Sequence, residues 1–240
     1  MFVNPAMSAA LDRITERAAD VRRVFTPAAL PQRSDVATPA DGSDFTLDAL
    51  SAVPPEGAYF VTADARGRAT YTRDGTFAVR DGRLVDACGN AVLGRVTSGA
   101  ALGELRVDAV DAALGRAGNL RVEPDGALVY GRAAIDPRTG KRVAGDVVVG
   151  RIGLARFPAG TKLDTADGSR LYAPRGVVPH TGLPGDEAFG TLAPMRRARS
   201  RVDLDVSLMR LKDAYVAFDA LAAAESAKHR LSKAAMDVVK

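Results

Sequence analysis

The sequence is poor in the residues on which many functional sites depend. Its 240 residues include one cysteine, two histidines and no tryptophan, and aromatic residues make up only 5%. A single cysteine excludes an intramolecular disulfide and any zinc site built from several thiolates. We expect Cys88 to fill a small buried or half-buried position. The low aromatic content disfavours a deep aromatic ligand pocket.

Long apolar runs are also missing. No stretch approaches the roughly 20 apolar residues that a membrane-spanning helix needs. The N-terminal region lacks the basic head and continuous apolar core of a secretory signal. The charged residues that interrupt it are Asp12, Arg13, Glu16, Arg17 and Asp20. We therefore expect no insertion into a membrane and export, if any, without a cleavable signal peptide.

Motifs for catalysis and cofactor binding are absent from the sequence. His180 and His229 are far apart and lack HExxH spacing, and there is no GxSxG, GxxxxGK or GxGxxG. Asp74, Asp81 and Asp125 could supply paired carboxylates for glycoside hydrolysis. Each precedes a glycine, however, where aspartate is favoured for the hydrogen bonds of a turn. The sequence therefore indicates no enzyme, no metal site and no cofactor.

The net charge of +4 is small but unevenly distributed. Residues 34–56 carry acids and no lysine or arginine, whereas arginines crowd the entry to the C-terminal region. The acids are Asp35, Asp41, Asp44, Asp48 and Glu56, and the arginines are Arg196, Arg197, Arg199 and Arg201. A basic cluster can bind phosphates, but no nucleic-acid motif accompanies this one. We expect a solvated helix entry or contact with acidic neighbours, and no nucleic-acid partner.

An apolar heptad lies at each end of the chain. The first consists of Met7, Leu11, Ile14, Ala18, Val21 and Phe25, and the second of Leu204, Leu208, Leu211, Tyr215, Phe218 and Ala222. Steps of four and three place each set on one helix face. A seam this narrow needs a partner helix, and the simplest partner is the other end. We predict that two terminal helices, the second capped by Ser200 or Asp203, pair as a coiled coil and form an assembly interface.

Between the heptads the pattern is that of short β-strands and tight turns. Turn dipeptides that tolerate positive φ separate the apolar runs, and they are Arg66-Gly67, Asp74-Gly75, Asp81-Gly82 and Gly89-Asn90. The predicted fold is mainly β with terminal α-helices and a central antiparallel β-domain. We divide the chain into an N-terminal helix (1–33), an acidic linker (34–56), a β-rich domain (57–175), a Pro/Gly-rich return linker (176–199) and a C-terminal helix (200–240).

One part of the β-rich region resembles the signature of the flagellar rod and hook family. It begins Tyr71-Thr-Arg-Asp-Gly-Thr-Phe77 and continues through Asp81-Gly-Arg-Leu-Val85 to Cys88-Gly-Asn-Ala-Val-Leu-Gly94. The residues that match the motif are Tyr71, Thr72, Arg73, Asp74, Gly75, Phe77, Gly82, Leu84, Val85, Gly89 and Gly94. Near the N-terminus, Glu16, Arg17 and Asp20 replace family asparagines, and Phe25 stands where a glycine is expected.

The resemblance implies a function in assembly. It implies a structural subunit of the flagellar basal-body rod, proximal or distal, with the terminal helices in an inner coiled-coil layer and a β-domain of the rod and hook type outside. Such a subunit assembles into a helical tube that transmits torque, and its partners are itself, other axial proteins and the flagellar export apparatus. The implied location is the basal body, in the periplasmic space.

An alternative from another class is a soluble module that binds cell-wall glycan on a helical stalk, with a hydrolase as a more distant possibility. A glycan site needs aromatic side chains exposed on one β-face. The candidates are Tyr59, Tyr71, Phe77 and Tyr130. The alternation of side chains along a strand indicates that most of these rings point into the core.

Overall fold

The computed structural model describes residues 5–31, 42–96, 101–107, 120–135, 142–165 and 170–238. Within these ranges the chain is mostly β, with one α-helix near each end. It forms two compact units. The helical unit comprises residues 1–26, 30–39 and 201–240, and the β unit comprises residues 27–29 and 40–200.

The two helices are α1, Pro5–Arg23, and α2, Leu204–Val238. Proline is well tolerated at the first position of a helix, because its missing N–H would have no partner there. Asp203 caps α2: its Oδ1 accepts a hydrogen bond from the backbone N–H of Val206 at 3.1 Å. This confirms one of the two predicted caps. In the described ranges, neither helix has the length and apolar character needed to cross a membrane.

The helices of the helical unit pack together in opposite directions. Asp20, near the end of α1, lines a small cavity with Ser207 and Arg210 from the start of α2. Earlier residues of α1, from Ala6 onward, line a groove with residues of α2 as far as Leu221. The end of α1 therefore lies beside the start of α2, and the pair is antiparallel.

The predicted coiled coil is wrong, although the two helices do contact each other. The seam residues Leu11, Leu208 and Tyr215 remain 49%, 46% and 50% exposed. The buried positions are instead Ala10 and Asp20 on α1 and Ser207 on α2, which the heptads do not include. Small side chains let helix axes approach closely. The contact line therefore passes through these small residues and still includes the half-buried Leu211, while Leu11 and Leu208 lie to one side of it.

Seventeen strands lie in the described part of the β unit. They are β1 Ser43–Phe45, β2 Ala52–Val53, β3 Ala58–Ala63, β4 Ala69–Thr72, β5 Ala78–Arg80, β6 Arg83–Val85, β7 Ala91–Val96, β8 Gly103–Glu104, β9 Leu120–Val122, β10 Ala127–Ile135, β11 Arg142–Ile152, β12 Leu154–Arg156, β13 Asp164–Thr165, β14 Leu171–Tyr172, β15 His180–Gly182, β16 Ala193–Pro194 and β17 Arg196–Ala198. All recorded pairings between these strands are antiparallel. This agrees with the predicted antiparallel arrangement.

The main sheet has the order β13-β14-β4-β3-β7-β11-β10-β9. Five further strands branch from its inner strands: β12 pairs with β3 and carries β15, β6 pairs with β7 and carries β5, and β8 pairs with β7. Its core contains Phe60 and Phe77, whose rings meet edge to face at 5.0 Å. Leu84, Leu105 and Leu128 are fully buried in the same cluster. The apolar side chains of many short strands therefore share one core.

Strands also form within both segments predicted as linkers. β1 pairs with β17, and β2 pairs with β16, so the outgoing and returning segments form two small sheets. The Arg199 guanidinium donates hydrogen bonds to the Asp44 carboxylate beside the first of these sheets, at 2.9 and 3.0 Å. Arg199 also holds the pKa of Asp44 below its usual value. Part of the uneven charge is thus paired within the chain, while Asp35 and Asp41 lie outside the described residues.

Cys88 is exposed rather than buried, so that prediction is wrong. It lies in the turn between β6 and β7, where Asp86 and Asn90 are buried. The Asp86 carboxylate accepts hydrogen bonds from the backbone N–H groups of Cys88 at 2.9 Å and Asn90 at 2.8 Å. A turn organised by an aspartate in this way leaves the intervening side chain facing solvent.

Candidate assembly surface

The predicted assembly residues divide into two groups in the structure. The half-buried group consists of Met7, Ile14, Ala18, Val21, Leu211, Phe218 and Ala222. The exposed group consists of Leu11, Phe25, Leu204, Leu208 and Tyr215. The helix contact therefore uses only part of the predicted seam and leaves large apolar side chains uncovered.

Four of the exposed residues lie on one side of the helix pair, which we call the apolar side: Leu11, Leu204, Leu208 and Tyr215. Leu11 follows the buried Ala10, and Leu208 follows the buried Ser207, so both are displaced from the contact line in the same rotational sense. In an antiparallel pair, equal displacement brings the two side chains to the same side. Helical spacing adds Leu204 and Tyr215 to this row.

A groove with a volume of about 430 Å³ is lined in part by Ala9. Ala9 precedes the buried Ala10, whereas Leu11 follows it, so helical spacing places the groove on the opposite side of the pair. We call it the alanine groove; it is lined by Ala6, Ala9, Ala10, Ala214 and Ala217, with Arg13, Arg17, Arg210, Asp213 and Leu221. Half of its ten lining residues are alanines, and three of its four charged residues are arginines. The two sides of the helical unit therefore differ in both bulk and charge.

Asp20 is the buried carboxylate of the helical unit and retains only 4% of its accessible surface. Its oxygens lie 3.8 Å from Arg17 Nη1 and 3.5 Å from Arg23 Nη1. Burying a carboxylate is costly unless cations or donors compensate it. Burial of Asp20 was not expected from the sequence. Its spacing of three residues from an arginine on each side was the available signal.

The residues of the flagellar-type motif are mostly buried within the β unit. Tyr71, Thr72, Arg73, Asp74 and Phe77 retain 3–6% of their accessible surface. The Arg73 guanidinium donates to the backbone carbonyl of Ala58 at 2.9 Å and to that of Pro55 at 3.3 Å. Leu84 and Val85 are buried as well. These motif positions therefore build the fold and do not form an exposed site.

The glycines of the motif serve two different structural needs. Gly82 and Gly89 have φ of 70° and 85°, which only glycine adopts easily. Gly75 and Gly94 are required by close approach instead. A Cβ on Gly75 would overlap the carbonyl oxygen of Ala52, and one on Gly94 would overlap the carbonyl oxygen of Arg151.

Asp74 has an electrostatic environment unlike that of an ordinary turn aspartate. Burial raises its pKa, the charge of Asp86 adds to the rise, and Arg197 opposes it. Its Oδ1 accepts a hydrogen bond from the backbone N–H of Thr76 at 3.0 Å. Of the other two candidate carboxylates, Asp81 is exposed, and Asp125 pairs with Arg151 at 2.8 Å.

The aromatic candidates for a glycan site do not form an exposed platform. Tyr71, Phe77 and Tyr130 are buried, and Tyr59 is half-buried. Tyr59 and Tyr71 both meet the ring of Phe157 edge to face, at 5.8 and 4.8 Å. Tyr59 and Tyr71 are therefore packed against Phe157, and Phe77 is packed against Phe60.

The two histidines belong to different units. His180 is exposed and stacks on the ring of Phe189 at 5.5 Å, while His229 is exposed on α2. Within the described ranges, no group of three or more histidine, cysteine or acidic side chains is placed to hold a metal ion. No protein-family model matches the sequence, and no curated protein matches it.

Proposed function

We propose that this chain is a structural, non-enzymatic subunit of the bacterial flagellar basal-body rod. It assembles through its terminal helices with copies of itself and with other axial proteins, and the resulting helical tube transmits torque. It reaches the periplasmic part of the basal body through the flagellar export apparatus. The motif from Tyr71 to Gly94 supports the rod and hook family, and the helical unit supports assembly.

The observation that carries the proposal is the apolar side of the helical unit. Leu11, Leu208 and Tyr215 each leave about half of their surface exposed, at 49%, 46% and 50%. A contiguous apolar patch on a soluble unit marks an interaction surface. Full burial of one such side chain contributes about 1.5–3 kcal/mol. Covering the remaining half of all three would therefore contribute roughly 3 kcal/mol, or about a hundredfold in affinity.

The buried motif fits the same proposal. A subunit of a torque-bearing tube needs a rigid domain, and the Arg73 hydrogen bonds and the glycine approaches tie neighbouring strands of the β unit together. The glycan-binding alternative has no comparable support, because Tyr71, Phe77 and Tyr130 are buried.

Assembly of the purified chain tests the proposal. Sedimentation velocity and electron microscopy over a concentration series should find small species at low concentration and filaments or tubes at high concentration. Leu208→Asp should raise the concentration needed for assembly at least thirtyfold, because a carboxylate would have to be buried without a partner. Leu208 is a better target than Leu211, because Leu211 is half-buried and its replacement would also weaken the contact between α1 and α2.

Lys228→Asp is the matched control. Lys228 is exposed on the same helix and lies neither on the apolar side nor at the groove, so its replacement should change stability by no more than about 0.5 kcal/mol and leave assembly intact. A parent chain that stays monomeric at every concentration, alone and with other axial proteins, would contradict the proposal. Assembly of Leu208→Asp at the parent concentration would contradict the role of the apolar side.

A further inference from the structure

The apolar side and the alanine groove have complementary shapes. The apolar side presents leucine and tyrosine side chains, whereas half of the ten residues that line the groove end at Cβ, among them Ala9, Ala10 and Ala217. Large side chains facing small ones interdigitate without leaving voids. The projecting side chains of the apolar side therefore match the recess of the alanine groove.

Their charges are complementary as well. Arg13, Arg17 and Arg210 line the groove against a single acid, Asp213. The apolar side is bordered on α2 by two exposed acids: Asp205 lies three residues before Leu208, and Asp219 lies four residues after Tyr215. Lys212 lies between them, so this edge carries a net negative charge against the net positive charge of the groove.

We infer that the apolar side of one copy inserts into the alanine groove of a second copy of this chain. The inference rests on the proposed function and specifies the contact through which assembly occurs. Two apolar sides packed against each other would form a closed pair and leave both grooves empty. Insertion of one side into the groove of the next copy leaves a free side and a free groove at the ends, so the assembly keeps growing.

Two variants separate the halves of this contact. Leu208→Asp disables the apolar side and leaves the groove intact. Ala217→Leu fills the groove and leaves the apolar side intact, and leucine at this exposed helical position costs the monomer little. Ala227→Leu is the control, because Ala227 is exposed and does not line the groove. Circular dichroism of each variant should match the parent.

The decisive measurement is a mixture of the two variants, followed by native mass spectrometry and sedimentation equilibrium. Each variant alone should need at least a tenfold higher concentration than the parent to assemble. Mixed together, they should form one-to-one pairs that do not grow, because one intact side meets one intact groove. Ala227→Leu should assemble like the parent.

Several results would overturn the inference. If Ala217→Leu assembles at the parent concentration, the groove is not used, while the proposed function survives. If the mixture forms no pairs although both variants are folded, side-to-groove insertion is wrong. If the parent itself never assembles, the proposed function fails and the inference fails with it.

A charge exchange tests the same contact without adding bulk, and it decides the matter if Ala217→Leu does not fold. Arg13→Glu should raise the assembly concentration at least tenfold, since Arg13 is exposed at the groove. Adding Asp205→Lys or Asp219→Lys to that chain should restore assembly. Failure of both additions to restore it would overturn the inference.

Discussion

Replacement of Asp20 by alanine tests whether the buried carboxylate holds the helical unit together. Asp20 is 4% exposed, and its arginine neighbours Arg17 and Arg23 have side chains that are only 17% and 14% exposed. Removing the carboxylate leaves two partly buried guanidinium groups without that partner. Breaking a buried ion pair costs about 3–5 kcal/mol. The long separations of 3.8 and 3.5 Å reduce the expected cost, to about 2 kcal/mol.

Thermal unfolding followed by helical circular dichroism measures this loss. For a unit of this size, about 2 kcal/mol corresponds to a fall in Tm of roughly 8–16 °C when the unit unfolds on its own. Asp12→Ala is the matched control, because Asp12 is exposed on the same helix and its removal should cost no more than about 0.5 kcal/mol. Equal melting of Asp20→Ala and Asp12→Ala would refute the argument that the buried carboxylate stabilises the helix pair.

Two further predictions concern the β unit. Burial raises the pKa of Asp74 in the folded state above the 3.8 of an ordinary aspartate. Between these two pKa values the folded state binds a proton that the unfolded state does not, so the free energy of unfolding falls as pH rises through that range. Asp74→Asn should therefore unfold at a higher urea concentration than the parent at pH 7, and the difference should vanish near pH 3. An equal difference at both pH values would contradict a raised pKa of Asp74. Gly94→Ala should lower the free energy of unfolding in urea by about 3 kcal/mol, because the added Cβ would overlap the carbonyl oxygen of Arg151. Gly131→Ala is the control and should be tolerated, because a Cβ there would have no heavy atom closer than 4.0 Å. Equal stability of the two alanine variants would show that the close approach at Gly94 is not restrictive.

The local turns of the β unit were predictable because their signals lie within a few residues. Asp81-Gly82 joins β5 to β6, and both residues have positive φ, 51° and 70°. Gly67 and Gly89 also have positive φ in the turns that were expected there. Gly75 belongs to a different class, since the approach of Ala52 requires it, and a dipeptide pattern cannot reveal a contact so distant in sequence.

Pairing between distant segments could not be predicted from local pattern. β1 and β17 are separated by about 150 residues of sequence, and each is only three residues long. Strands this short in proline-rich and glycine-rich surroundings resemble linkers, because their stability depends on each other. The charge pattern did contain a hint, since Asp44 and Arg199 come from the acidic and basic regions.

The helices show where periodicity stops being informative. The heptads correctly indicated that the helices at the two ends contact each other. The positions of their leucines did not show which residues lie at the centre of that contact. Ala10 and Ser207 are buried, whereas Leu208 is not. An apolar stripe wider than one seam allows each helix to face its partner in several rotational positions. The small residues, together with Asp20 and its arginine neighbours, favour one of these positions.

The most direct test of the proposed function is the composition of flagellar basal bodies from the organism that encodes this chain. Quantitative mass spectrometry of isolated basal bodies should find several copies of the chain per basal body. A folded Leu208→Asp protein, expressed at the parent level, should be missing from them, and motility should be lost. Basal bodies that lack the parent chain, together with normal motility after deletion of its gene, would contradict a rod subunit.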